Sequence, residues 1–368
     1  MSFWKDIRKD FPITRESIYL DHAAGGPIPR PVLEVIQQFQ KENAEGADFF
    51  WLDWMRRRDE ARQTVADFIG AEPEEIAFTS STSHGMNLVA ELLAQEGQVL
   101  LNESEFPSST VPWLWRKAQT IFQPTEEARI SFETLRRSLT PEIKTIVTSF
   151  VQYGTGQRQD IEAIGKIKGG RYLAVNATQG FGVVPIDVKK WNADFVCTNS
   201  YKWMMAGYGG GVLYIRKPLL ELFQPQGAGW RSMVGCDLMR NKNLEMKKAG
   251  ERYEWGCPNF SAMFGFAAAA RYFSQIGMNQ IEKRVLSLTD YLITRLHDKK
   301  IRVLSSLDPA ERSGIVVFEK KDPVKVWQRL LAKKIYVSPR GGGLRVAPHF
   351  YNTEEEIDSL INALDTVG

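Results

Sequence analysis

The stretch from Thr198 to Gly211 constrains this chain more than any other part of the sequence. A short apolar run, Asp194 to Cys197, precedes it, and a second apolar run, Val212 to Ile215, follows it. Between them stand one lysine, Lys202, and a cluster of glycines. The pattern predicts two strands joined by a tight connection that fixes the lysine in place.

A lysine held in a partly desolvated pocket is suited to imine chemistry. The amine is nucleophilic only when it is unprotonated, and burial near other cations lowers its pKa enough for it to condense with an aldehyde. Pyridoxal phosphate is the aldehyde cofactor that uses such a lysine. From this stretch alone, a loop lysine beside a glycine turn is an equally good interpretation, so the rest of the chain has to decide.

The composition indicates a globular protein of about two domains. The chain has 368 residues, of which 43% are hydrophobic and 25% charged, and a domain takes roughly 150 residues. The net charge of +3 is nearly balanced, and scattered basic residues give little support to nucleic-acid binding. We expect a cytoplasmic protein without membrane spans, because no apolar run is long enough and no signal sequence opens the chain. The three cysteines show no metal-ligand spacing, so no metal is expected.

Polar or glycine-rich turns follow four other apolar runs, where strands are predicted to end. They lie around Ser81, Phe106, Gln152 and Asn176. Strands that alternate with helices and end in this way predict an α/β fold with a mostly parallel sheet, whose ligand lies beyond the carboxyl ends of the strands. The hydroxyls after the first strand suit an anion at a helix N-terminus, although this stretch taken alone favours simple helix capping.

The pattern changes beyond Ile215. A polar connector leads to a predicted long helix from Ala262 to His297 and then to alternating strands and helices. We therefore predict a large α/β domain over residues 15–250 and a smaller α+β domain over 251–368, joined by residues 1–14. Near the end of the small domain, Arg345 follows a glycine turn and could bind a carboxylate with its bidentate fork, although most such arginines are structural.

Taken together and in this order, these motifs resemble the class V aminotransferase family of fold-type I pyridoxal-phosphate enzymes. That family includes cysteine desulfurases and proteins similar to isopenicillin N epimerase. The resemblance runs from Tyr19-Leu20-Asp21 to Asn352-Thr353-Glu354-Glu355, and rests most on Ser200-Tyr201-Lys202-Trp203 and Asn176-Ala177-Thr178-Gln179. It implies a fold-type I architecture with a large domain, a small C-terminal domain and a homodimer.

The resemblance also assigns roles to single residues. It implies that Lys202 attaches the cofactor and then acts as general base, and that Arg345 binds the substrate's α-carboxylate. The cofactor contacts that it implies are Ser81, Thr82, Tyr201 and more weakly Asn199 at the phosphate, Phe106 over the ring, Asn176 at the pyridine nitrogen and Gln179 at the phenolic oxygen. Cys257 lies in the segment Trp255 to Asn259, which relatives extend to the neighbouring subunit's phosphate. His22 and Gln152 are candidates for the substrate pocket, and structural roles explain both equally well.

The sequence departs from the family pattern at Asn176, where relatives have an aspartate that keeps the pyridine nitrogen protonated. Losing a charge about 4 Å away costs on the order of 4 kcal/mol at an effective dielectric constant near 20, or about three pKa units. We therefore expect the cofactor to be a weaker electron sink in this protein.

A second departure concerns the loop before Arg345. Cysteine desulfurases carry a nucleophilic cysteine there, whereas residues 338–343 of this chain contain none, so the usual persulfide chemistry is not expected. The leading hypothesis is an aminotransferase that acts on an amino acid or amine. A lyase or epimerase shares the first steps and stays open, as does a cofactor-binding protein with little catalysis.

Overall fold

The computed structural model describes residues 3–126 and 128–366. Its strands are β1 (Ile18–Tyr19), β2 (Ile76–Thr79), β3 (Gln98–Asn102), β4 (Thr120–Gln123), β5 (Ile143–Ser149), β6 (Tyr172–Asn176), β7 (Phe195–Asn199), β8 (Gly211–Ile215), β9 (Val316–Phe318), β10 (Ile335–Tyr336), β11 (Ser338–Arg340) and β12 (Gly343–Val346).

The α-helices are α1 (Phe3–Arg8), α2 (Arg30–Gly46), α3 (Trp51–Ile69), α4 (Thr82–Leu93), α5 (Pro107–Trp115), α6 (Phe132–Ser138), α7 (Ile161–Ile167), α8 (Lys217–Leu222), α9 (Phe260–Ile276), α10 (Met278–Asp298), α11 (Pro323–Ala332) and α12 (Glu354–Thr366). Short 3₁₀ helices lie at Pro12–Arg15, Ala47–Phe50, Pro73–Glu75, Trp230–Ser232, Cys236–Leu238 and Gly250–Tyr253. None of the helices described is both long and apolar enough to cross a membrane.

A seven-stranded sheet forms the centre of the molecule, in the order β2-β8-β7-β6-β5-β3-β4. Every pair of neighbouring strands among β3, β4, β5, β6 and β7 is parallel. Strand β8 is antiparallel to both of its neighbours, β7 and β2. The predicted α/β fold with a mostly parallel sheet is therefore confirmed.

Alternate residues of the central strands face two different cores, as the two-residue period of a strand requires. In β6, Leu173 and Val175 join the core on the side of α2, α3 and α9, whereas Ala174 joins the core on the side of α4. Because the sheet is covered on both faces, its carboxyl edge is where backbone and polar side chains are open to a ligand.

A third core lies under the C-terminal part of the chain. It contains residues of α10, α11 and α12 together with the antiparallel sheet β11-β12-β9. The N-terminal strand β1 joins this part, since Ile18 and Tyr19 pair in parallel with Ile335 and Tyr336 of β10. The proposed division at residues 250 and 251 remains a prediction, and this pairing would assign residues 18–19 to the smaller unit.

The predicted helix from Ala262 to His297 is wrong in one respect, because the structure divides it into α9 and α10 at Gly277. This glycine has φ +95° and ψ 116°, a conformation that glycine adopts at little steric cost. The break separates two roles. Helix α9 packs on α2 and α3 beside the large sheet, whereas α10 contributes to the C-terminal core.

Two fully buried histidines lie where the N-terminal segment meets the C-terminal part. His22 donates from Nδ1 to the Ala347 carbonyl at 2.9 Å, and its Nε2 accepts from the Tyr351 hydroxyl at 3.0 Å. His349 donates from Nε2 to the Trp203 carbonyl at 3.0 Å. Burial lowers the pKa of His22 to about 4 and, together with the neighbouring His22, lowers the pKa of His349 well below its usual value.

These histidines predict an acid-sensitive fold. The folded protein keeps both rings neutral, whereas the unfolded chain takes up protons below about pH 6.5. The free energy of unfolding should therefore be unaffected by them above pH 6.5 and fall below it by about 1.4 kcal/mol per pH unit for each ring, until the pH reaches the folded-state pKa. For His22 this amounts to about 2 kcal/mol between pH 6.5 and pH 5.

Urea unfolding of the wild type and of the His22→Asn variant at pH 7 and pH 5 measures this effect. The variant should lose less free energy of unfolding between the two pH values than the wild type does, whatever its absolute stability. A His297→Asn variant, altered at an exposed position of α10, is the matched control. Equal losses in wild type and His22→Asn would contradict the prediction.

Candidate active site

The predicted lysine lies at the carboxyl edge of the central sheet. Lys202 occupies the connection between the antiparallel strands β7 and β8, and its backbone N–H donates to Asn199 Oδ1 at 3.4 Å. The next residue, Trp203, is buried and donates from its indole to Gln179 Oε1 at 2.7 Å. The connection is therefore anchored on both sides of the lysine.

A pocket of about 60 Å³ surrounds the Lys202 side chain. Eight of the residues that the sequence analysis proposed line this pocket, namely Ser81, Thr82, Phe106, Asn176, Gln179, Asn199, Tyr201 and Lys202. They come from the ends or following turns of β2, β3, β6 and β7. The structure therefore confirms that these turns meet at one edge of the sheet.

The Lys202 amine is prepared for a nucleophilic role. Its Nζ lies 5.7 Å from the centre of the Phe106 ring and 5.9 Å from that of Tyr201, and the described residues offer it neither a hydrogen bond nor an ion pair. Burial and the nearby Arg345 lower the pKa of Lys202 to about 8. A substantial fraction of the amine is consequently unprotonated in mildly alkaline solution.

The start of α4 provides an anion site on one side of the pocket. Ser81 is the N-cap residue, and its hydroxyl accepts from the His84 N–H at 3.2 Å, so the capping role occurs as well. The first backbone N–H groups of a helix have no acceptor within the helix, and the residues at the start of α4, including the buried Thr82, line the pocket. The Thr82 hydroxyl is 2.7 Å from that of Thr178.

Asn176, at the end of β6, has its amide orientation fixed by its neighbours. Its Oδ1 accepts from the Thr178 N–H at 3.1 Å, and its Nδ2 donates to Ser109 Oγ at 2.9 Å. Because a backbone N–H can only donate, Oδ1 must be the atom that faces it. The side chain is buried and neutral, so it brings no negative charge to the pocket.

Gln179 and Tyr201 are held by contacts within the protein. Gln179 donates from Nε2 to the Ala23 carbonyl at 3.0 Å, which leaves one N–H of its amide for a ligand. Tyr201 stacks on Tyr208, with ring centres 4.4 Å apart.

Arg345 is almost completely buried and does not line this pocket, although it is near enough to Lys202 to lower the pKa of that amine. Its Nη2 lies 3.3 Å from Asp21 Oδ1, and its Nη1 donates to the Tyr153 carbonyl at 3.1 Å. Its buried Nε has no acceptor among the described residues. The guanidinium is thus held in place by two contacts, while one of its donors remains unused.

The remaining three proposed residues lie outside the Lys202 pocket. His22 is buried beneath it with both ring nitrogens engaged, so it has no nitrogen left for a substrate. Gln152 is buried and lines a neighbouring, larger cleft. Cys257 is exposed and lines a separate pocket of about 290 Å³ with Trp255 and His84.

Sequence reasoning missed Glu105, a buried carboxylate that organises one wall of the pocket. It accepts from the Ser149 N–H at 2.7 Å, from Asn102 Nδ2 at 2.6 Å and from Gln152 Nε2 at 3.0 Å. These bonds tie the turn that carries Phe106 to the end of β5. An acidic residue directly before the proposed ring-stacking position was the available signal.

These features suit a cofactor that carries an aldehyde and an anionic group. A free amine of lowered pKa and a helix N-terminus line one pocket, and amide groups from neighbouring strands complete it. The residues present therefore fit pyridoxal 5′-phosphate.

Comparisons with known proteins agree with this assignment. Residues 18–360 match the family model described as Aminotransferase class-V. A probable cysteine desulfurase of Pyrococcus abyssi is 29% identical, over 98% of this chain and 96% of that protein. An uncharacterized aminotransferase of Bacillus subtilis is 27% identical, over 98% of this chain and 97% of that protein.

Solved structures give the same result. The apo structure of a cysteine desulfurase from Thermococcus onnurineus superposes with a TM-score of 0.90 at 27% identity, covering 100% of this chain and 98% of the other. The cofactor of this fold and family is pyridoxal 5′-phosphate, and the fold is that of the fold-type I enzymes, as the sequence analysis predicted.

Asp21 should control the basicity of Lys202. Burial, Arg345 and Arg340 lower the pKa of Lys202, and Asp21 is the group that raises it. Replacing Asp21 with Asn should therefore move the pKa of Lys202 below 8. The pH dependence of the rate at which cofactor-free protein attaches pyridoxal phosphate reports this pKa.

In the Asp21→Asn variant the rate profile should shift to lower pH. Glu16→Gln, which removes an exposed acidic group of the same N-terminal segment, should leave the profile unchanged, and thermal unfolding shows whether either variant is folded. A profile that stays in place or moves to higher pH in folded Asp21→Asn would be incompatible with the role given to Asp21.

Proposed function

The chain belongs to the class V aminotransferase family, and from that premise we propose that it is a lyase that eliminates a β-substituent from an amino acid. It is a pyridoxal-phosphate-dependent enzyme, so the proposal concerns the reaction and the substrate class. The observation that carries the proposal is the absence of a suitably placed protein thiol beside a complete lysine site. Several relatives are named as probable cysteine desulfurases, which supports a cysteine-like substrate.

The three cysteines are unsuited to accepting sulfur from a substrate at Lys202. Cys197 and Cys236 are buried, and burial raises the pKa of the Cys197 thiol strongly. Cys257 is exposed but lines a different pocket from Lys202 within the same subunit. Without a nearby thiolate to attack it, a β-substituent that leaves the substrate does so by elimination, with the bonding electron pair.

Lys202 and Arg345 supply the groups that an elimination needs. When bound, pyridoxal phosphate supplies an electron sink for charge that develops at Cα of the substrate. Arg345 binds the α-carboxylate with its unused donor, and the Lys202 amine takes the Cα proton. The Cα–H and Cβ–X bonds break, X leaves with the bonding pair, and the resulting enamine hydrolyses to a 2-oxo acid and ammonia.

Asn176 favours elimination over transamination. A neutral amide cannot hold a proton on the pyridine nitrogen as a carboxylate does, so charge at Cα is less well stabilised. In elimination the departing group carries that charge away, whereas in transamination the charge must persist until a proton is delivered to another carbon. A weak electron sink therefore disfavours transamination more strongly.

An aminotransferase is the second candidate. The Bacillus subtilis relative is named as one, and this was the leading hypothesis from the sequence. Transamination would use the same Lys202 base and the same Arg345 anchor, and would differ in where the proton is returned.

A homodimer remains a proposal as well. It is supported by the exposed position of Cys257 within the segment Trp255 to Asn259, which relatives extend to a neighbouring subunit. In the described structure this segment lies at the surface beside Gly209, whose carbonyl accepts from Asn259 Nδ2 at 3.0 Å.

The reaction products separate the two candidates. Holoenzyme incubated with L-cysteine or β-chloro-L-alanine should release pyruvate and ammonia over many turnovers, while the released cofactor keeps the mass of the aldehyde form. The Lys202→Ala variant should lose about 10²- to 10⁴-fold in rate, the usual contribution of a positioned base. Accumulation of pyridoxamine phosphate without ammonia would instead establish the aminotransferase. Neither pyruvate and ammonia nor pyridoxamine phosphate with any amino acid tested would reject both.

Substitution of Asn176 tests the electrostatic argument. The Asn176→Asp variant restores a negative charge, so the ratio of pyridoxamine phosphate formed to pyruvate released should rise by at least tenfold. The pyridine nitrogen should also titrate at higher pH, as ¹⁵N NMR of labelled cofactor would show. Asn199→Asp adds a charge at another strand end of the same pocket and is the matched control. An unchanged ratio and an unchanged nitrogen signal would show that Asn176 does not set the reaction outcome.

A further inference from the structure

A cleft of about 820 Å³ lies next to the Lys202 pocket and has no role in the chemistry described so far. Its walls come from the large sheet, at residues 103–104, 128–129 and 152–155, and from the C-terminal part, at residues 302–308 and Gly341. Ligand sites in proteins commonly measure about 300 to 1,000 Å³. The cleft is much larger than a cysteine side chain requires.

Tyr153 connects the cleft to the reacting centre, because it lines both spaces. Its carbonyl accepts from Arg345 Nη1 at 3.1 Å, and its ring packs edge-on against Phe106, with ring centres 5.0 Å apart. A substrate with its carboxylate on Arg345 and its Cα at Lys202 therefore has the cleft open to its side chain, beyond Tyr153.

One wall of the cleft is preformed by a polar network across the two parts of the chain. Arg129 pairs with Glu311 at 2.6 Å and donates to Ser306 Oγ at 3.0 Å. Ser305 donates to the Thr155 carbonyl at 2.5 Å and accepts from the Val317 N–H at 2.8 Å. Such a wall keeps its shape when a ligand enters.

The ionisable side chains along the cleft carry both signs. Glu103 and Asp308 are acidic, Arg129 and Arg302 are basic, and all four are exposed. Hydroxyl groups accompany them at Ser104, Thr155 and Ser306. A group with charges of both signs, such as a second amino-acid moiety, matches this lining better than an apolar group does.

We propose that this cleft is the subsite for the substrate's side chain, and that the substrate is an α-amino acid whose β-substituent ends in a second zwitterionic, amino-acid-like group. The proposal rests on the lyase function proposed above only for the identity of the leaving group. The subsite serves equally for an aminotransferase, because binding precedes the step that distinguishes the two reactions.

Gly154 offers a way to fill the cleft without disturbing the fold. It lines the cleft, its φ lies outside the left-handed region, and a Cβ added there would meet no atom within 4 Å. Gly170 also has a φ outside the left-handed region, and a Cβ added there would also meet no atom within 4 Å. It lies on an exposed turn after α7, away from the cleft. The variants Gly154→Leu and Gly170→Leu are therefore a matched pair.

The experiment measures the apparent Kd of three amino acids from the change in cofactor absorption during the first turnover of the holoenzyme. The probes are S-methyl-L-cysteine, which is small, L-cystathionine, which ends in a zwitterion, and S-benzyl-L-cysteine, which ends in an apolar ring. In the wild type we expect L-cystathionine to bind at least tenfold more tightly than the other two.

Gly154→Leu should raise the apparent Kd of L-cystathionine at least tenfold and that of S-methyl-L-cysteine less than twofold. Gly170→Leu should change neither Kd. Gly154→Ala, with a smaller added group, should give an intermediate effect and guards against misfolding of the leucine variant. Equal affinity for the three probes, or an equal loss for large and small probes in Gly154→Leu, would overturn the proposal. Tighter binding of S-benzyl-L-cysteine would overturn the assigned substrate class.

The same assay keeps this proposal separate from the proposed function. Size-selective binding without release of 2-oxo acid would support the subsite and reject the lyase. Release of pyruvate and ammonia over many turnovers from small and large probes with equal Kd values would support the lyase and reject the subsite.

Discussion

The ion pair between Asp21 and Arg345 is the contact on which the geometry of the candidate active site depends. Both side chains are buried, and removing one partner of a buried ion pair costs about 3 to 5 kcal/mol. Asp21 follows β1, which pairs with β10, and also accepts from the Ser338 hydroxyl. The N-terminal segment therefore has to be in place before Arg345 can be fixed beside Lys202, so the two ends of the chain and the central sheet form one site.

Much of this site could be predicted because the signals are local. Lys202, Asn176 and Ser81 each follow a short apolar run, and the carboxyl ends of strands in a mostly parallel sheet meet at one edge. The ion pair of Asp21 with Arg345 could not be predicted in this way, because it joins residues 324 positions apart. The break at Gly277 was missed for a different reason, since apolar residues recur at helical spacing on both sides of it. His22 was proposed for the substrate pocket from its place in a motif. Only the structure shows that both of its ring nitrogens are already hydrogen-bonded within the protein.

The distribution of charge explains why the pocket suits a neutral amine. Burial, Arg345 and Arg340 lower the pKa of Lys202, and the carboxylate of Asp21 only partly offsets them. The buried Glu105 carboxylate is satisfied by hydrogen bonds from Ser149, Asn102 and Gln152, and serves to position the Phe106 turn. Asn176 is neutral, so the side chain at the end of β6 brings no charge to the pocket.

The loop before Arg345 contains no cysteine, and the backbone at its three glycines is also unsuited to a side chain. Gly341 has φ +62°, and a Cβ there would lie 2.0 Å from the Gly154 carbonyl oxygen. A Cβ at Gly343 would lie 2.0 Å from the Phe318 carbonyl oxygen. Gly342 has free space around it but φ +80°, a conformation that strains any side chain with a Cβ. The hairpin of β11 and β12 is thus packed too closely to carry a cysteine at these glycines, and a thiol-bearing loop would have to be longer. The same close packing places Gly154 and Gly341 side by side at the wall of the large cleft, so the short hairpin also shapes the space beside Arg345.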